Sequence, residues 1–164
     1  MFKVNKLTDY ATVLLIDIAR AGGVRPTQRI AERTGIPLPT VAKIMKSLHR
    51  AGLVFSTRGS GGGYALGRPA AEISVADVIQ AVEGPIALTA CADTSDEQCG
   101  IEHSCPVSGK WNRVNTAVRS ALAEVTLADM VEDVTAFGVQ KFAPPPVAAP
   151  IVAPAVASTV EGVR

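Results

Sequence analysis

Val41, Ile44, Met45 and Leu48 stand at i, i+3, i+4 and i+7. That stripe marks one buried side of a helix running from about Pro39 to Ala51. Its outward positions are Thr40, Ala42, Lys43, Lys46, Ser47 and Arg50. Upstream, Tyr10, Val13, Leu14, Ile16 and Ile18 repeat at near-helical spacing between Leu7 and Ala21. Thr8 or Asp9 is the expected cap at the start, and Gly22-Gly23 the stop. A short helix over Gln28–Arg33, with Ile30 and Ala31 inside, ends at Gly35. After Gly52 the pattern changes. Leu53–Thr57 and Tyr64–Leu66 read as two short strands around a glycine-rich tip, Arg58–Gly63. Ser74 caps a helix reaching about Val82, which Gly84-Pro85 ends. A long helix is expected from Pro106 to about Val125 and a short one from Thr126 to Glu132.

Two short helices joined by a tight turn, the second basic outside, form a helix-turn-helix; the following hairpin makes it a winged helix. The fold expected is therefore mainly α with a small β-hairpin. A winged helix-turn-helix domain occupies residues 1–70, a linking helix and turn 71–90, and a cysteine loop 91–105. A dimerisation helix with a short terminal helix follows over 106–133. Residues 143–164, APPPVAAPIVAPAVASTVEGVR, lack periodicity and read as a disordered Pro/Ala-rich tail. Trp111, Val114, Val118, Ala121 and Val125 alternate spacings of three and four. This narrow heptad seam needs a partner, and a two-fold homodimer supplies one.

Charge sharpens the picture. Residues 1–70 carry eleven Lys/Arg against three acids, net +8, whereas residues 71–164 are net −7. A basic half points to a polyanion, here double-stranded operator DNA. Lys43 and Thr40, with Pro39 beside them, are the expected readers of base edges. Lys46, Arg50 and Gln28 are expected on phosphates. Arg58 is expected in the electronegative minor groove, with Gly61 and Gly62 among four wing glycines that let the backbone approach phosphates. The glycine run lacks the Lys-Ser/Thr and the following helix of a nucleotide-phosphate loop. No apolar run approaches the length of a membrane span and no export signal is recognisable, so a cytoplasmic protein without a membrane partner is expected.

All three cysteines lie in CADTSDEQCGIEHSC, Cys91 to Cys105, spaced C-x7-C-x5-C. Ile101 is the only large apolar residue there, so the segment cannot bury enough surface to order itself. Three thiolates converging on an inorganic centre would order it. Cys91, Cys99 and Cys105 suit an iron–sulfur cluster and leave one position for a weaker donor. Zinc held by three cysteines and His103, or a metal-free thiol redox switch, is the alternative. An interaction scaffold is opposed by the basic half. A redox enzyme is opposed by the lack of cofactor or pocket motifs, so no catalytic residue is assigned.

The TDYA of the first helix, the wing RGSGGGYALGR, and a three-cysteine loop followed by Pro106 and a helix bearing Trp111 resemble the IscR/NsrR-type family of bacterial winged-helix regulators. The resemblance covers about residues 1–133, and is nearest to regulators of iron–sulfur assembly systems. It implies a homodimeric repressor on a palindromic operator, carrying a 2Fe-2S or 4Fe-4S cluster and controlling iron–sulfur assembly genes. Where IscR-like members carry a histidine ligand this chain has Ser108. NsrR-like members use an aspartate of the partner subunit's TDYA motif, which corresponds to Asp9. Asp9 and, within the loop, His103 are thus the candidates for fourth ligand.

Overall fold

Helix α1, Lys6–Ala21, is the post around which the chain is assembled. The computed structural model describes residues 3–59, 61–92, 99–101 and 104–131, all within one unit, Met1–Glu132. The tail and His103 lie outside the described residues. The cap of α1 is neither Thr8 nor Asp9. Asn5 holds that place, its side chain accepting from the Leu7 N–H at 3.0 Å. The helix begins two residues before Thr8, so Thr8 and Asp9 fall inside the first turns. Thr8 is buried and its hydroxyl donates to the Glu83 carboxylate, which also accepts from the Asn5 N–H at 3.3 Å. The start of α1 is thereby tied to the end of α4, Val75–Glu83.

Helices α2, Thr27–Thr34, and α3, Leu38–Arg50, follow. Val41, Ile44, Met45 and Leu48 of α3 are all buried, as their spacing predicts. They meet Ala11, Leu14, Leu15 and Ile18 of α1 and Ile30 of α2 in one aliphatic cluster. In α1 the inward stripe is rotated from the expected one: Val13 is exposed, and Ala11 and Leu15 lie inside. Strands β1, Val54–Thr57, and β2, Gly63–Leu66, pair antiparallel with Val54 opposite Leu66 and Thr57 opposite Gly63. The cluster extends past residue 70, taking in Ile73, Val78 and Leu127.

Helix α4, Val75–Glu83, starts with a capping box in which Ser74 and Asp77 satisfy each other's backbone N–H groups. Helix α6, Leu127–Val131, starts the same way with Thr126 and Asp129. The two starts are side by side: the Val75 N–H donates to the Val125 carbonyl at 2.9 Å, and the Leu127 N–H to that of Ile73 at 2.7 Å. The Thr126 N–H and then its hydroxyl hold the Asp129 carboxyl below the usual carboxylate range. This cap is therefore at full strength above the ordinary carboxyl pKa and lost as pH falls through the lowered one.

Helix α5 spans Trp111–Glu124, not from Pro106. Gly109 has φ +68°, which breaks helical propagation. The residues before Trp111 close turns instead, the Ser108 N–H donating to the Cys105 carbonyl and the Lys110 N–H to that of Val107. Inwardly α5 presents Asn115, fully buried, and Leu122, which packs on Ala76, Ile79 and Ile86.

Candidate functional site

The core side of α3 is filled, so its other side is what it offers to a ligand. Pro39, Lys43, Lys46 and Arg50 are exposed there, and Thr40 is half-buried. Among the described residues none of Lys43, Lys46 and Arg50 is held in an ion pair. Gln28 is exposed at the start of α2. The position of α2 is set from behind: the Arg33 Nε donates to Asp17 Oδ1 at 2.6 Å, and Asp17 is buried in α1. Leu38, three residues before Val41 and seven before Met45, continues the inner stripe by spacing, yet at the first position of α3 it is 47 % exposed.

The wing is braced on two sides. Arg25 bridges Tyr64 through paired backbone hydrogen bonds of 2.8 and 2.9 Å. His49 at the end of α3 lies with Nδ1 3.1 Å from the Val54 carbonyl, its ring edge-on to Tyr64. Arg58, Gly59 and Gly61 are exposed at the tip. The glycines do not all serve close approach to phosphates. A Cβ on Gly63 would lie 2.2 Å from the Arg25 carbonyl oxygen, and one on Gly62 would lie 2.5 Å from that of Thr57. The chain's own backbone demands glycine at both. The Gly62 N–H moreover donates to the Gly59 carbonyl at 2.9 Å. Gly61 faces open space.

The cysteine segment is anchored at its first end. Ile86 is buried, the Leu88 N–H donates to the buried Asn115 Oδ1 at 3.1 Å, and Ala92 is buried beyond Cys91. Asn115, a polar residue in an otherwise apolar helix stripe, is the residue that docks this segment on α5. Cys91, Cys99 and Cys105 are free thiols, all half-buried, and Cys91 Sγ lies 3.4 Å from the Thr89 hydroxyl. Among the described residues no three His, Cys, Asp or Glu side chains gather around one metal position. The single chain thus does not bring the three thiols and Asp9 together. The donor set nonetheless fits an iron–sulfur centre: three unpaired thiols on one short segment, sheltered without being sealed from a ligand. Structural metal sites commonly assemble only as the metal binds.

Asp9 is exposed in the first turns of α1. Since Asn5 is the cap, the Asp9 carboxylate has no capping duty. It lines an open depression with Lys3, Val4, Lys6 and Glu83. The α5 seam is open as well. Trp111, Val114 and Val125 are 42–45 % exposed and Ala121 is exposed, with only Val118 half-buried. The described residues do not cover this stripe.

The sequence model of the Rrf2 family, described as iron-dependent transcriptional regulator, matches residues 4–133. The chain is 35 % identical over 133 residues to the HTH-type transcriptional regulator IscR of Vibrio atlanticus, covering 80 % of this chain and 76 % of that one. It is 35 % identical over 126 residues to IscR of Photobacterium profundum, covering 76 % and 72 %. Among solved structures, T. potens IscR superposes with a TM-score of 0.58 at 30 % identity, over 80 % of this chain and 88 % of that one. CymR, the global cysteine regulator of B. subtilis, superposes at 0.61 with 27 % identity, over 80 % and 97 %. Among the described residues no helix is long and apolar enough to cross a membrane.

Proposed function

Since the chain belongs to the Rrf2 family of transcriptional regulators, and is a DNA-binding winged-helix regulator and not an enzyme, we propose that it is a homodimeric repressor whose hold on its operator follows the state of an iron–sulfur cluster, with iron–sulfur assembly genes as its targets. The observation that carries this reading is the trio of free, half-buried thiols on a segment docked against α5. Cys91, Cys99 and Cys105 would hold the cluster as thiolates, and it would supply a labile, oxidant-sensitive centre. Asp9 of the partner subunit is the fourth ligand in this reading. Its carboxylate is exposed and free of capping, while the turn behind it is tied through Thr8 to Glu83 at the end of α4. The dimer forms on the uncovered stripe of α5. A link between Asp9 and the partner's cysteine segment would set the spacing of the two α3 helices, which must meet half-sites about one helical turn apart.

In the DNA complex, Lys43 and Thr40 with Pro39 face base edges. Gln28, Lys46 and Arg50 take phosphates, and Arg58 enters the minor groove with Gly61 beside it. The test is anaerobic purification with iron and sulfide determination, followed by operator binding of holo and apo protein. The wild type is expected to be brown, and each of Cys91→Ser, Cys99→Ser and Cys105→Ser colourless. Asp9→Ala is expected to retain a cluster with an altered spectrum and to lose the holo/apo difference in affinity. A colourless protein containing zinc, or one without metal whose binding follows thiol oxidation, overturns the cluster reading. A wild-type spectrum and full holo/apo difference in Asp9→Ala would move the fourth-ligand assignment to His103.

A further inference from the structure

The outward side of α3 is not uniform along its length. Lys43, Lys46 and Arg50 make its later part cationic. The earlier part is apolar: Leu38 is 47 % exposed, and Pro39 and Ala42 are exposed beside it. Leu38 and Ala42 are four residues apart and so share one side of the helix. A single exposed leucine is ordinary on a protein surface. The position of this one is what matters. It is the first residue of α3, in the end of a recognition helix that meets base edges. Among the described residues it belongs to neither apolar cluster, so their packing does not account for it.

Neither Leu38 nor Ala42 can donate or accept a hydrogen bond through its side chain. On the major-groove edge of B-DNA the apolar group they can match is the C5 methyl of thymine. We propose that Leu38, with Ala42 behind it, reads thymine methyl groups in each operator half-site. The half-site then carries an obligatory thymine at the position facing Leu38. Hydrogen-bonded readout is left to Lys43, one residue beyond Ala42. This inference rests on the reading that α3 enters the major groove, and it adds the base that the operator must contain.

Uracil lacks only the methyl, so replacing thymine by deoxyuridine isolates the contribution of that group. Operator duplexes are first enriched from a random library with the full-length protein. Each thymine is then replaced in turn, and binding of wild type and Leu38→Ala is measured. At one or two thymines per half-site the wild type is expected to lose about four-fold per methyl, the value of one buried apolar carbon. In Leu38→Ala that loss should shrink to below about two-fold, the coupling expected of groups that touch. Tolerance of deoxyuridine at every position by the wild type overturns the proposal, as does an undiminished loss in Leu38→Ala. Lys43→Ala and Lys46→Ala are measured alongside. If these weaken binding while the Leu38 cycle is null, methyl reading alone fails. If all three variants bind like the wild type, α3 does not face the DNA, and the groove assignment fails with it.

Discussion

The first fifty residues of the fold and the helix α5 treat apolar side chains in opposite ways. Leu14, Leu15 and Ile30, with Val41, Met45 and Leu48, are fully buried within the chain, in a cluster built from three helices. On α5 the fully buried residue is Asn115, while Trp111, Val114 and Val125 stand 42–45 % exposed. The DNA-reading half thus packs its own core, with Lys43, Lys46 and Arg50 exposed and, among the described residues, in no ion pair. In the proposed reading, the half that carries the cysteines is completed from outside: by a second copy along α5 and by a cluster between thiols. A regulator benefits from this division. The element that reads DNA is backed by buried apolar side chains, and the element that responds in the proposed reading has little packing of its own to hold it in one state.

The sharpest way to separate the halves is salt. Operator affinity should fall by roughly 10³–10⁵ between about 50 and 200 mM salt for a dimer that neutralises about six to ten phosphates. Lys46→Ala and Arg50→Ala should each lower the slope by about one for every phosphate left without its cation, whereas charge-neutral changes on α5 should leave it alone. A slope that responds to α5 and not to α3 would reverse the comparison. Binding by Arg58→Ala should weaken more on A/T-rich than on G/C-rich flanks, because a narrow minor groove attracts arginine. Equal losses would remove the wing from the minor groove.

The next test is of stability. Leu48→Ala removes a fully buried side chain and should lower unfolding free energy by about 2–5 kcal/mol, measured by urea titration of the apo protein. Val114→Asp changes an exposed seam residue. It should leave a folded chain by circular dichroism but sediment as a monomer and lose operator affinity. A folded Val114→Asp dimer would place the interface elsewhere. Smaller still is the loss of the capping box at α4. Ser74→Ala should cost about 1 kcal/mol in the same titration, and a neutral result would mean that the bridge to Thr126 alone holds that start. Last comes the expected null: a chain ending at Phe142 should dimerise and bind operator like the full chain, and a loss of either would give the tail a role.

Much of this was legible in the chain because periodic patterns are local. A helix spaced as Val41, Ile44, Met45 and Leu48 has one way to hide four apolar side chains. Ser74 three residues before Asp77 makes a capping box wherever α4 is packed. The basic first half and the wing RGSGGGYALGR likewise announce a DNA-binding winged helix without any distant neighbour. The misreadings are of another kind. Asp9 reads as a cap until Asn5 takes that place, and Thr8 becomes buried because Glu83, 75 residues away, receives its hydroxyl. Gly62 and Gly63 read as a phosphate approach until Thr57 and Arg25 are seen to press against them. Asn115 carries no signal in the sequence at all: its role comes from the Leu88 N–H that it receives from 27 residues away.

Spacing and residue type by themselves determined which segments are helices, where the hairpin turns, which side of α3 is basic and that the thiols share one segment. Those follow from steric preferences and hydrophobic periodicity within a few residues. Tertiary structure alone decided which polar side chain serves which backbone group, which glycines are squeezed by their own chain, and that the described residues leave the α5 stripe exposed. Those depend on what another part of the chain brings to within hydrogen-bond or van der Waals distance, and no local pattern encodes that.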